Sequence, residues 1–252
     1  MHVQIELITP IITRGIRKLE EVRALERADL TVRHSLIERG PASIESSFDE
    51  ALAIPDMLRK AIDAQKTGAH AIIIDCMGDP GLHACREVVQ IPVLGPCQTA
   101  LHTASMLGHR VGFVTVLERV RTHFNSLVAS YGLASTFASF RAIDVPVLEI
   151  HADLSRVKEA LARESVAAVK EDHADVIVLG CTGFLGCADA IRQTLLANGL
   201  DVPVIDPIPL AVHVADALVR TRLSHSKRTY PEPGHKPIEG YPFPEFATAP
   251  VR

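Results

Sequence analysis

Two stretches decide the fold: AIIIDCMGDPG at residues 71–81 and DVIVLGCTGFLGC at residues 175–187. Each is a short apolar run, then a cysteine, then a glycine-containing turn, then a segment of helical character. Runs this short and this rich in β-branched residues read as parallel strands buried on both faces. In an open α/β sheet, ligands bind beyond the carboxyl ends of the strands. Each half of the chain therefore carries one thiol, Cys76 or Cys181, to the mouth of its own sheet. Two thiols facing one carbon suit a particular chemistry: one removes a proton from one face, and the other returns a proton to the opposite face.

Outward from these stretches, strand and helix alternate through the body of the chain. The patterning predicts strands near residues 3–9, 29–34, 69–75, 91–95, 110–116, 140–148, 174–180 and 202–206. It predicts helices near residues 14–25, 49–67, 81–89, 96–107, 117–131, 154–172, 187–198 and 207–223. Such alternation implies parallel sheets with helices on both faces. The strands fall into two groups of four, and each central cysteine follows the third strand of its group. The expected division is a first α/β domain at residues 1–96 plus 207–221, a second at residues 97–206, and an irregular C-terminal tail at residues 222–252. That tail is proline-rich and without periodicity, and it reads as partly disordered or free to wrap a neighbour.

Composition bounds the function. The 252 residues are 47% hydrophobic and 22% charged, ordinary for a globular protein with a substantial core. The net charge of −4 and the lack of a Lys/Arg-rich run give no nucleic-acid signature. No apolar stretch reaches the ~18 residues of a membrane span, and residues 1–10 do not read as a signal peptide. Five cysteines without a C-x-x-C pair fit a reduced, cytoplasmic protein. The expected partner is a small-molecule substrate, with no nucleic acid and no membrane, in a homo-oligomer.

Neither a G-x-G-x-x-G nor a G-x-x-x-x-G-K-[ST] loop occurs, which argues against a nucleotide cofactor, and no G-x-S-x-G elbow marks a serine hydrolase. His83 with Cys85, and Cys181 with Cys187, are poor zinc signatures, so no metal is expected. Cys85, Cys97 and Cys187 read as core residues, with a place for Cys187 in the cleft left open. Strand-to-helix turns offer free N–H groups and a positive dipole end, which predicts lowered pKa values for Cys76 and Cys181. Small residues after each cysteine, Gly78 in one half and Thr182 with Gly183 in the other, let a substrate approach. Thr115, at the end of a strand in the second half, points to the same mouth as Cys181. Asp79 reads as the cap of the helix that follows it, and Asp206 likewise.

GPASIESSFDEA (40–51), DCMGDPGLHACRE (75–87) and VIVLGCTGF (176–184) resemble the aspartate/glutamate racemase superfamily, most closely its hydantoin racemase branch. The resemblance spans residues 1–221. It implies two pseudo-twofold-related domains, each a roughly four-stranded parallel sheet flanked by helices, with the active site in the cleft between them. It implies cofactor-independent racemisation with Cys76 and Cys181 as acid and base. It also places Pro10, Thr13, Ser43, Ile44, Met77, Gly78, Thr115, Thr182 and Gly183 around the substrate. Where the family carries an N-P-N-T-like stretch, this chain has Thr9-Pro10-Ile11-Ile12-Thr13, which leaves the two threonines as donors.

A 5-substituted hydantoin or a related compound is the expected substrate. Two other reactions fit the same scaffold: maleate-type cis-trans isomerisation, with one cysteine as nucleophile, and racemisation of aspartate or glutamate. A non-catalytic small-molecule binding protein fits it as well.

Overall fold

The computed structural model describes residues 1–248. Two four-stranded parallel sheets form its centre. The first is built from β1 (Val3–Thr9), β2 (Leu30–Leu36), β3 (Ala71–Ile74) and β4 (Val93–Leu94), in the order β2-β1-β3-β4. The second, from β5 (Val111–Thr115), β6 (Phe137–Ala142), β7 (Val176–Leu179) and β8 (Val204–Ile205), has the equivalent order β6-β5-β7-β8.

The helices follow from capping and periodicity. They are α1 (Leu19–Arg23), α2 (Ser47–Lys66), α3 (Leu82–Val88), α4 (Pro96–Leu107), α5 (Arg121–Ser130), α6 (Leu154–Lys170), α7 (Ala188–Ala197) and α8 (Pro207–Arg220). Ser46 caps α2 by accepting the Asp49 N–H, and Asp153 caps α6 by accepting the Arg156 N–H. Pro96 and Pro207 open α4 and α8, where a missing N–H is tolerated.

Each sheet is buried on both faces, as parallel strands require. Ile72 and Ile74 pack under α2 and α3, while Ile73 faces Ile208, Ala211 and Val212 of α8. Ile177 and Leu179 lie under α6 and α7, while Val176 and Val178 face Cys97, Ala100 and Ala104 of α4. The last helix of the chain thus returns to the first sheet, and α4 and α8 pack on each other between the two lobes. Complete burial of an isoleucine such as Ile73 stabilises by about 1.5–3 kcal/mol.

Three expectations change. A helix over residues 14–25 shrinks to α1, because Gly15 takes a left-handed φ of +80° and Arg17 turns inward. The strand expected at residues 140–148 lies earlier, as β6, paired with β5. The tail, expected to be partly disordered, packs instead on the first lobe through residue 248. Lys227 donates to the carbonyls of Arg86, Glu87 and Val89 at 2.7, 3.2 and 2.6 Å, satisfying the C-terminal end of α3. His225 accepts the Val93 N–H at 2.7 Å on the edge of β4, and Phe246 is buried beside Met57 and Ile62. The part of the tail expectation that falls on residues 249–252 lies outside the described residues.

Candidate active site

The strand order places a crevice at the carboxyl ends of β1 and β3 in one lobe, and of β5 and β7 in the other, because crossovers leave those central pairs in opposite directions. Asp75 and Cys76 follow β3 directly; Gly180 and Cys181 follow β7 directly. Both cysteines are free, partly buried, and line one cleft of about 950 Å³, its solvent mouth included. Their local geometry repeats. The Gly78 N–H points at the Cys76 sulfur over 3.5 Å, and the Gly183 N–H points at the Cys181 sulfur over 3.4 Å.

Beyond these turns the surroundings differ. A methyl group built on Gly78 would sit 1.9 Å from Glu50 Oε1 and 3.7 Å from the Cys76 sulfur. Glu50 and Cys76 therefore crowd the same point, and glycine keeps that point open. Burial first, and the Glu50 charge second, push the Cys76 thiol well above its ordinary pKa. Burial raises Cys181 as well, to about 11, although the Gly183 N–H and the Arg17 guanidinium oppose the rise.

The lowered thiol pKa values expected from helix ends are therefore absent. The cause is local. No helix starts at Cys76, since α3 begins only at Leu82. Cys181 caps nothing longer than a 3₁₀ turn, Thr182–Phe184. Burial outweighs so little dipole.

Arg17 joins the two lobes at the floor of the cleft. It donates to Asp75 at 2.7 and 3.1 Å, and its Nη2 also reaches the Thr182 carbonyl at 2.9 Å. Thr9 donates to Asp75 at 2.7 Å, and the Thr182 hydroxyl donates to the Asp75 carbonyl at 3.2 Å. Burial works against ionisation of Asp75, yet Arg17 and these hydroxyls hold its carboxyl below the usual range. At the mouth the lobes meet again. Glu45 accepts the Val147 N–H at 2.9 Å, and His123 Nε2 lies 3.0 Å from Glu50 Oε1.

Of the residues expected around a substrate, Pro10, Ile44, Met77, Gly78, Thr115, Thr182 and Gly183 line the cleft with Cys76 and Cys181. Thr13 and Ser43 do not. The Thr13 hydroxyl is turned onto the Ala42 carbonyl at 2.7 Å, tying two loops together. Ile44 and Ser46 take the inward places in the loop that carries Ser43. The Thr115 hydroxyl is spent on the Gly180 carbonyl at 2.8 Å, so it braces the Cys181 turn. Cys187 packs in the core under α6 and α7, with Cys85 and Cys97 in cores of their own.

Asp79 caps α4, not the helix after it. It accepts the N–H groups of Cys97 and Gln98 at 3.0 and 2.8 Å and the Tyr131 hydroxyl at 2.7 Å. Its own backbone sits at φ +47°, which aims the side chain past α3. Asp206 stands at the N-terminus of α8, but its carboxylate accepts the Gly186 N–H at 2.7 Å. Among the described residues, no group of three or more His, Cys, Asp or Glu side chains is placed to hold a metal ion.

Arg17, Glu50, Asp75, His123 and His151 also line the cleft and were not legible as site residues. Asp75 had one signal, its position beside Cys76. Arg17 was hidden by the misread helix, and His123 arrives from α5 in the other lobe with no local mark.

The sequence profile of the family described as Asp/Glu/Hydantoin racemase matches residues 11–215. A hydantoin racemase of Rhizobium meliloti is 38% identical over 244 residues, covering 96% of this chain and 98% of that protein. A hydantoin racemase of Pseudomonas sp. (strain NS671) is 37% identical over 240 residues, covering 94% of each. The solved structure of an allantoin racemase from Klebsiella pneumoniae superposes with a TM-score of 0.89 at 32% identity, over 97% of this chain and 99% of that one.

Proposed function

The chain belongs to the Asp/Glu/hydantoin racemase family, and from that premise we propose that it racemises 5-substituted hydantoins with Cys76 and Cys181 as the two acid/base groups. The observation that carries this reading is the pair of thiols at equivalent turns on one cleft, each with a backbone N–H aimed at its sulfur.

The chemistry balances with one proton on the pair. The thiolate of one cysteine takes the C5 proton and becomes a thiol. The C–H electron pair spreads onto the neighbouring ring carbonyl. The thiol of the other cysteine then gives its proton to the opposite face of C5 and becomes the thiolate. The N–H groups of Gly78 and Gly183 stabilise whichever sulfur is charged. General acid–base help of this kind is worth about 10²–10⁴ in rate.

Charge accounting favours a neutral ring over a free amino acid. Aspartate or glutamate would need positive partners for its carboxylates. Arg17 is already paired with Asp75 and the Thr182 carbonyl, and His123 lies against Glu50. Much of the remaining wall is apolar: Ile16, Ile44, Val116, Phe124, Val147 and Ile150. Such a wall suits an aliphatic or aromatic substituent at C5.

Chiral chromatography of single enantiomers of 5-benzylhydantoin, 5-isobutylhydantoin, allantoin and aspartate tests this order. The expected result is fastest racemisation of the apolar hydantoins and none of aspartate. Aspartate as the best substrate would overturn the assignment.

A further inference from the structure

A two-thiol racemase is changed by its own turnover. Each net conversion moves the proton from one sulfur to the other. A second molecule of the same hand can react only after that proton distribution has been restored. Cys76, partly buried under Glu50, therefore needs a path to solvent that works while the cleft is empty.

The mouth of the cleft carries one. Glu50 Oε1 fills the space a Gly78 side chain would take, a point 3.7 Å from the Cys76 sulfur, and its side chain is only 12% exposed. His123 Nε2 stands 3.0 Å from the same oxygen, and the histidine side chain is 31% exposed. On the far side of the ring, Nδ1 lies 3.4 Å from the Ser47 hydroxyl, in a surface hollow lined by Glu45, Ser47, Arg119, Thr122 and Ser126. An acid group at the Cys76 turn, an imidazole nitrogen 3.0 Å from that acid, and a partly exposed ring edge thus lie in series. The groups come from both lobes, Glu50 from α2 and His123 from α5, so the series exists only when the lobes stand together.

We infer that Glu50 and His123 form a proton relay that returns the Cys76 thiolate to the thiol between turnovers. His123 takes a proton from solvent at Nδ1 and passes its Nε2 proton to Glu50. Glu50 passes a proton to the Cys76 thiolate, and the Cys181 thiol releases one to solvent, so charge and proton count are unchanged. Contact with Glu50 raises the His123 pKa, partial burial opposes that rise, and the Gly78 backbone adds to it. Glu45 and Glu50 on the first lobe and Arg119 beside α5 are the charged groups that face this ring.

The inference rests on the two-thiol reading, and steady-state kinetics on a hydantoin racemised by the wild-type enzyme separate the two. Return of the free enzyme enters kcat and not kcat/KM. For His123→Ala we expect kcat to fall about tenfold, KM to fall with it, and added imidazole to restore kcat. Glu50→Gln should show the same split without rescue by imidazole. A parallel loss of kcat and kcat/KM in both variants, or a His123→Ala kcat equal to wild type, overturns the relay while leaving the two-thiol reading standing. Wild-type enzyme that racemises nothing overturns both.

Discussion

Arg17 and Asp75 are joined by two hydrogen bonds, 2.7 and 3.1 Å long, with both side chains buried next to Cys76. The same guanidinium holds the carbonyl of Thr182, the residue after Cys181, at 2.9 Å. The Arg17 side chain therefore ties the two cysteine turns together, alongside the Thr182 hydroxyl on the Asp75 carbonyl.

Arg17→Met should leave a buried carboxylate without its partner and lower stability by about 3–5 kcal/mol in chemical denaturation. The folded fraction should racemise slowly, since the turns lose their common anchor. Arg17→Lys should not restore activity, because an ammonium cannot serve both Asp75 oxygens and the Thr182 carbonyl. The folded pKa of Asp75 is depressed. Its contribution to stability is therefore full above the unfolded value of about 3.9 and is lost as pH falls through the lower folded value. The stability gap between wild type and Arg17→Met should therefore narrow as pH falls through that range.

The raised thiols fix a pH profile. With Cys181 pushed up to about 11 and Cys76 well above its ordinary value, thiolate is scarce at neutral pH. The rate constant kcat/KM should rise roughly tenfold per pH unit through the neutral range, and the limb should bend near the Cys181 value. Iodoacetamide should label both cysteines slowly at pH 7 and faster as pH rises. Fast labelling of Cys76 at pH 7 would contradict this assignment of charge.

Gly78→Ala should separate stability from activity. Its new methyl lands 1.9 Å from Glu50 Oε1, the end of a flexible side chain, so the fold should survive with a small change in Tm. Glu50 must leave its position above Cys76, and kcat should fall several-fold. An alanine enzyme with wild-type kcat would remove Glu50 from the account.

Phe246→Ala should act in the opposite way. Phe246 is 7% exposed in the first lobe's core and does not line the cleft. Its truncation should lower stability by about 2–3 kcal/mol and leave KM as it was. Thermal unfolding and initial rates check both halves of that statement.

What the chain displays openly is what short-range physics governs. The apolar runs before Cys76 and Cys181, the glycine turns after them and the prolines opening α4 and α8 are local signals, and the architecture follows from them. The site was legible where chemistry sits inside such a signal, as with both cysteines, Gly78 and Gly183. It was obscure where long-range pairing decides. Arg17 carries no local mark until Asp75, in the turn after β3, draws it inward. Asp79 carries the pattern of a cap for the next helix, yet its left-handed backbone sends it to α4. Nor can spacing reveal that burial outweighs the turn N–H groups in setting the thiol pKa values.

The most direct test is exchange of the C5 hydrogen in deuterium oxide, followed by NMR for each hydantoin enantiomer with wild type, Cys76→Ser and Cys181→Ser. The account predicts that each single replacement lowers racemisation by about 10²–10⁴-fold. Each should also retain exchange, without inversion, for one enantiomer at most. Racemisation at the wild-type rate by either variant would contradict the assignment of both thiols to one substrate carbon.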